Sequence, residues 1–531
     1  MKRIASFFSK ENSIRGASVI LIITYALSNV LGLFRDRFLA RNISTSDLDI
    51  YYAAFRIPDF IFNVVILGAI TSAFIPVFSD FLGLNKKEEG YKVANYLINL
   101  AMVLMFALAI IFFFAMPWLI HLVAEFDPAR MQETVKYSRM LMLLPIFFSL
   151  SYITGGILNT MKRFVAYSIA PLVYNIAIIV GAFFFAPKFG LVGVIVLVII
   201  GSFLHFLIQF ISALQLGYRY QPIISFASPS IKRIIRLMVP RTISMGASQI
   251  LLLLFTRIAS ALMVGSVAAF SLANNIVTMP VAVLGTTFST AIFPTLASKI
   301  SENKPEEFYF YLNRALRAIG YVLIPSTVIF ILLRAQIVRL ILGSGKFTWD
   351  DTRTTALTLG FLSISIVAQG LIPMLSKAFY ALKNTRTPMF ISIATMAVSV
   401  ALAFPLSHSY GIAGLALTFS LGNFFNAIAL FYFLQKKYKK VLDRNLLSSY
   451  LQVALISLIM GAAIWSSAHL IANYVDMTRF VGVFIQAGSS AFIGVVVFVG
   501  LSMLFKLEEM KWVFTRRING ESKLQTSGEP A

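Results

Sequence analysis

The residues able to do chemistry in this chain are charged side chains set in apolar sequence. Ser28-Asn29-Val30-Leu31-Gly32 leads into Arg35-Asp36, and the next apolar segment carries Asp49, Arg56, Pro58 and Asp59. Further along, Arg257 falls in the middle of an apolar run with no acid nearby in sequence, and Lys377 falls inside another. A charge inside a bilayer costs several kcal/mol unless it faces protein or water, so each is a candidate functional group. Arg35, Arg56 and Arg257 carry planar donor forks that stay charged in a semi-apolar site and match phosphate or pyrophosphate oxygens. The competing role is structural, with Arg35 paired to Asp36 or Asp49 and Arg56 to Asp59, or with the side chains snorkelling to the interface. Asp36, Asp49 and Asp59 serve either as charge balance for these arginines or as the carboxylates of proton or sodium coupling.

Other chemistries are excluded by composition. With no cysteine there is no thiolate nucleophile, disulfide or cysteine metal site. His121, His205, His408 and His469 have no ligand spacing, so neither a metal nor another cofactor is expected. No phosphate-binding glycine loop, nucleophile elbow or paired-carboxylate constellation stands out, and the chain reads as a transporter and not as an enzyme. The net charge of +23 does not imply nucleic acid. Lysine and arginine gather in short loops, as in Lys436-Lys437 and Lys439-Lys440, the pattern of cytoplasmic loops facing anionic membrane lipids.

The elements that position these residues are membrane helices. Of the 531 residues 58% are hydrophobic and only 13% charged, with apolar runs such as 97–116 and 480–505 long enough to span hydrocarbon. Apolar runs and Gly, Pro and charged breaks give about fourteen spans, an all-α polytopic fold with both termini cytoplasmic. The basic amino-terminal stretch lacks a cleavage site and is read as leading into a retained first helix. Pro58, Pro145, Pro240, Pro280 and Pro325 mark kinks or broken helices.

The chain also contains itself twice. Phe189-Gly190-Leu191-Val192-Gly193 returns as Tyr410-Gly411-Ile412-Ala413-Gly414, and Ala73-Phe74-Ile75-Pro76 as Ala291-Ile292-Phe293-Pro294, at an offset of about 220 residues. Six spans per copy is even, so the copies are parallel repeats about an axis along the membrane normal. The expected organisation is an N-terminal lobe over 1–220, a linker over 221–236 ending in a short surface helix, a C-terminal lobe over 237–440, two extra helices over 441–510 and a tail over 511–531.

These residues resemble the MurJ (MviN) lipid II flippases, within the wider group of multidrug and polysaccharide exporters. The resemblance rests on Val30-Leu31-Gly32 with Arg35-Asp36, then Asp49, Ala73-Phe74-Ile75-Pro76 and Leu158-Asn159-Thr160. It continues through Asn175-Ile176, Val283-Leu284-Gly285, Gly345-Lys346-Phe347-Thr348 and Thr387-Pro388. It implies fourteen helices in the bacterial inner membrane, moving an undecaprenyl-pyrophosphate-linked peptidoglycan precursor to the outer leaflet by alternating access, with cell-wall synthesis machinery as a further partner. The chain departs from the family where cavity arginines are usual, carrying Asn29, Asn63 and Asn275 instead. The resemblance then implies that Arg56, Arg257 and Lys377 supply the missing charge. A related polysaccharide-lipid flippase, an ion-coupled multidrug exporter and a non-transporting envelope scaffold are the alternatives.

Overall fold

The computed structural model describes residues 14–67, 74–225, 228–438 and 444–510. The basic amino terminus before residue 14, Ala73, Ala227, Lys439-Lys440 and the expected 511–531 tail lie outside the described residues. Among the described residues there are helices and no strands.

The first repeat runs α1 (Ile14–Asn42), α2 (Thr45–Ile61), α3 (Ile75–Gly83), α4 (Lys87–Val123), α5 (Pro128–Leu141), α6 (Leu143–Thr160), α7 (Phe164–Val180) and α8 (Ala186–Gln215). The second runs α9 (Pro229–Ser260), α10 (Ser266–Pro280), α11 (Thr287–Ser301), α12 (Pro305–Leu332), α13 (Arg334–Ile341), α14 (Trp349–Ser363), α15 (Ile366–Ala381) and α16 (Arg386–Tyr438). α17 (Arg444–Ala472) and α18 (Phe480–Leu504) follow. Among the described residues eight helical stretches are long and apolar enough to cross a membrane, or nine if the bent pair α14–α15 is one span.

The repeat is written into the backbone. Gly190 (φ 59°) and Gly411 (φ 58°) take the same left-handed conformation at the same offset, each folding a continuous 52-residue helical stretch back on itself. A side chain there would meet no neighbour but would strain the backbone, which is why glycine recurs in both copies. Asn85 and Asn303, then Lys162 and Lys383, are likewise left-handed pairs that end helices with the same paired backbone hydrogen bonds. Proline breaks also correspond: wide π-type turns over Phe62–Leu67 and Val281–Thr286 follow Pro58 and Pro280. Pro240 and Pro325, by contrast, lie within the unbroken helices α9 and α12.

The linker differs from expectation. No separate surface helix precedes the second copy, because α9 begins at Pro229 and runs unbroken to Ser260. The preceding strand of chain is strapped to α4, where Asn95 and Asn99 donate to the carbonyls of Arg219, Gln221 and Ile223.

Three apolar clusters hold the bundle. One lies mainly in the first copy, around Phe74, Phe78, Met105 and Ile157, and takes in Ile231 and Ile234 from the start of α9. A second crosses the seam between copies, packing Leu39, Leu48 and Ile50 against Phe255, Leu272 and Ile276. The third fixes α17 and α18 to α12 through Tyr321, Val453, Met460 and Phe498. Meanwhile Phe106, Ile110, Phe114 and Trp118 stand exposed along α4, a surface suited to lipid chains and not to water.

Candidate functional site at the seam between the two repeats

At the end of the bundle that holds the α1–α2 turn, here called the sealed end, polar groups of one copy close on the other. Asp49, 1% exposed on α2, is the centre. Its Oδ2 accepts from the Gly265 N–H at 2.7 Å and its Oδ1 from the Ala268 N–H at 2.8 Å, so it caps the start of α10 from the opposite repeat. Gly265 has no side chain to cap that helix, and the free N–H groups of a helix start attract a carboxylate. Arg130 of α5 completes the set, its Nη2 2.9 Å from Asp49 Oδ2.

Further links ring this cap. Thr45 Oγ1 donates to Asp351 Oδ1 at 2.9 Å, while Asp351 also forms the capping box of α14 with Thr348. The Lys346 N–H donates to the Arg41 carbonyl at 2.9 Å, and Arg37 donates to the carbonyls of Leu340 and Ile341. Gly345 is left-handed here, and a Cβ on it would lie 2.2 Å from the Arg41 carbonyl oxygen, so this seam needs glycine twice over.

Beneath the cap, about two to three helical turns into the bundle by helical rise, lies a belt of arginine and amide groups. Arg35 binds Asp36 Oδ1 through Nε (3.0 Å) and Nη2 (2.8 Å), and Nη1 donates to Asn175 Oδ1 at 3.3 Å. Asp36, 1% exposed, uses its other oxygen to accept from Asn275 Nδ2 at 2.9 Å, across the seam. Arg56 donates from Nε to Thr256 Oγ1 at 2.7 Å and from Nη2 to Ser271 Oγ at 3.2 Å, both on the opposite repeat. Neutral hydroxyls thus hold Arg56, and among the described residues it forms no ion pair. Its guanidinium therefore sits at the seam with hydroxyl partners only.

The other sequence candidates fall differently. Arg257 is not mid-span: it occupies the last turn of α9, where it donates to Glu125 and to the His121 carbonyl. The apolar part of that helix is short, so the guanidinium reaches the loop after α4, and the acid absent from local sequence is supplied from there. Asn29 and Asn63 bond their own helices, to the carbonyls of Tyr25 and Asp59 at 2.8 Å each. Lys377 of α15 donates to Thr290 Oγ1 of α11 at 2.6 Å, within the second copy. Of the anticipated pairs Arg35–Asp36 is present, while Asp49 pairs with Arg130 and not with Arg35. Arg130, Asn175, Thr256, Ser271 and Glu125 escaped the sequence reading as site residues. Among the described residues no cluster of three acids or histidines could hold a metal.

Charge at the opposite end is of another kind. Lys299 and Lys304 surround Glu302 and Glu307 in an exposed network. Hydrogen bonds from Ser298, Lys299 and Lys304 hold the Glu302 carboxyl down at about 2, so that network is intact throughout the physiological range. A carboxyl with a lowered value contributes above its ordinary titration range and loses that contribution only as pH falls through the lowered value.

Two repeats of kinked helices, joined at one end and carrying buried charge at their seam, have the architecture of a polytopic membrane transporter. The fold matches an inward-facing multidrug resistance MATE family transporter of the MOP superfamily, with a TM-score of 0.65 over 80% of this chain and 98% of that one. At 17% identity this is a likeness of fold alone. The family model for the lipid II flippase MurJ matches residues 44–485, and the chain belongs to that family. A structure of lipid II flippase MurJ in an inward closed conformation matches with a TM-score of 0.77 at 27% identity, over 92% of this chain and 98% of that one. The probable lipid II flippase MurJ of Rickettsia prowazekii is 27% identical over 92% of this chain and 97% of its own length. The lipid II flippase MurJ of Burkholderia cenocepacia is 29% identical over 77% of this chain and 82% of its own.

Proposed function

We propose that this chain is a lipid II flippase, moving the undecaprenyl-pyrophosphate-linked precursor from the inner to the outer leaflet of the bacterial cytoplasmic membrane. Beside family membership, the observation that carries the reading is Arg56, a cation held at the seam only by hydroxyls of the opposite lobe. Such a guanidinium can exchange neutral partners for pyrophosphate oxygens without first breaking an ion pair. Arg35, tied to Asp36, orients the belt, and Asn275 carries the seam where the family places charge. Asn29, Asn63 and Lys377 line the path as neutral and cationic contacts for the head group.

The proposed frame has fourteen spans: lobes over 1–220 and 237–440, the linker over 221–236, whose end from Pro229 is already the start of α9, added helices over 441–510 and a cytoplasmic tail from 511. The sealed end is external and both termini are cytoplasmic. The lysines and arginines in the loops of the opposite end (Lys86, Lys162, Arg233, Lys304, Lys383) support this orientation. Head-group entry from the cytoplasmic side is then followed by rupture of the Asp49 cap, outward opening and release. Cell-wall synthesis enzymes acting on the released precursor are the proposed partners.

Complementation of a flippase-depleted strain tests the reading. The wild-type chain restores growth, Arg56→Ala and Arg35→Ala do not, and Arg257→Ala does. Growth with both Arg56→Ala and Arg35→Ala at normal membrane levels would overturn the cavity assignment, and failure of the wild type at those levels would overturn the function.

A further inference from the structure

The three first-lobe carboxylates are not equivalent. Asp36 is saturated by Arg35 and Asn275, and Asp49 by Arg130 and two backbone N–H groups. Asp59, half-buried on α2, is different. Its backbone carbonyl accepts from Asn63, but among the described residues no donor reaches its carboxylate and no ion pair forms. It is nevertheless within electrostatic reach of Arg56 and Arg35. An intramembrane acid without a partner is costly unless it is protonated or engaged in another state.

We propose that Asp59 is the proton-binding site that couples lobe movement to the proton gradient, exchanging its proton for Arg56. Arg56 and Asp59 stand three residues apart on α2, neighbours on one face. In the sealed state Arg56 is held by Thr256 and Ser271, which belong to the other lobe, and Asp59 carries a proton. While the seam still faces the cytoplasm, the Asp59 O–H gives up its proton to cytoplasmic solvent, and the resulting carboxylate draws Arg56 off Thr256 and Ser271 to pair with it. The lobes then part, and the two hydroxyls leave with the second lobe. External protonation of Asp59 frees Arg56 to rejoin Thr256 and Ser271 and reseal the bundle. Deprotonation toward the cytoplasm draws Arg56 away and favours opening. By linkage, one proton enters per outward cycle. A single carboxyl oxygen suffices for a proton, whereas a hard cation needs several oxygen ligands.

The groups that can bias this exchange are Arg35 and Asp36 on α1, Arg56, Tyr51 and Tyr52 on α2, and Tyr174 on α7. From α9 and α10 the neighbours of Arg56 are the neutral Thr256 and Ser271. From α5 and α6, Arg130 is committed to Asp49, and Tyr152 stacks on His205.

The inference rests on the two-state transporter reading, but its test needs no cargo. The chain has no cysteine, so spin labels at Gln132→Cys and Arg353→Cys, both exposed at the sealed end on opposite lobes, report its opening in lipid nanodiscs. Moving wild type from mildly alkaline to mildly acid buffer is expected to raise the short-distance fraction severalfold. Asp59→Asn, fixed in the neutral form, is expected to show that fraction at both pH values, and Asp59→Glu to restore the pH dependence. A wild type without pH dependence, or an Asp59→Asn variant that keeps it, overturns the inference while leaving lipid II transport to stand on complementation. A well-folded Asp59→Asn variant found open at both values overturns it as well.

Discussion

Replacing Asp49 by Asn is the perturbation whose size follows most directly from the geometry. The carboxylate makes two charge-assisted bonds across the seam, to the N–H groups of Gly265 and Ala268, and one ion pair within its own lobe, to Arg130. Only the bonds across the seam differ between sealed and open states, and hydrogen bonds to a charged group contribute about 1.5–3 kcal/mol each. Asparagine keeps one acceptor oxygen but turns an N–H toward the other donor and loses its attraction for the α10 helix start. The sealed state should therefore lose about 3 kcal/mol, a shift of roughly a hundredfold at about 1.4 kcal/mol per decade. A cysteine at Ala268, fully buried at the seam in a chain with no native cysteine, would report it through its rate of reaction with a membrane-impermeant maleimide. The rate follows the open population and should rise by about two decades in the Asp49→Asn background. An unchanged rate in a folded variant would refute the cap as the closing device.

Other expectations follow from the same contacts. Arg56→Lys keeps charge but loses the fork, so binding of undecaprenyl pyrophosphate should weaken by about tenfold, against about a hundredfold for Arg56→Ala, as read by titration of the purified protein. Arg257→Gln removes an ion pair whose partners are 37% and 51% exposed. It should cost less than about 1 kcal/mol and leave complementation intact. Gly411→Ala meets no neighbour but forces a left-handed alanine, lowering stability by about 1–2 kcal/mol in a thermal unfolding assay, with Gly190→Ala behaving alike.

Sequence and structure agree most closely where the chemistry is local. Gly190 and Gly411 are legible because only glycine takes their backbone angles cheaply, and the recurrence of both at one offset reveals the duplication. The Arg35–Asp36 pair is legible because its members are adjacent. The seam is not. Asp49 is held by backbone N–H groups, which leave no mark in residue type, and Arg56 by Thr256 and Ser271, common residues some 200 positions away. Arg257 misleads for a related reason: hydropathy centres it in a span, while the fold ends α9 one turn later and brings Glu125 to it. The surface helix expected after Pro229 merges into α9 because nothing after that proline breaks the helix.

Whether this chain moves lipid II across the membrane using the cation at its seam is decided by the leaflet in which lipid II is found. In cells depleted of their own flippase, lipid II on the outer leaflet is counted with an impermeant probe while this chain or its Arg56→Ala variant is expressed. Wild type should restore outer-leaflet lipid II, and Arg56→Ala should leave it trapped inside. Lipid II that stays inside with wild type present in the membrane, or that reaches the outer leaflet equally well with Arg56→Ala, would contradict that reading.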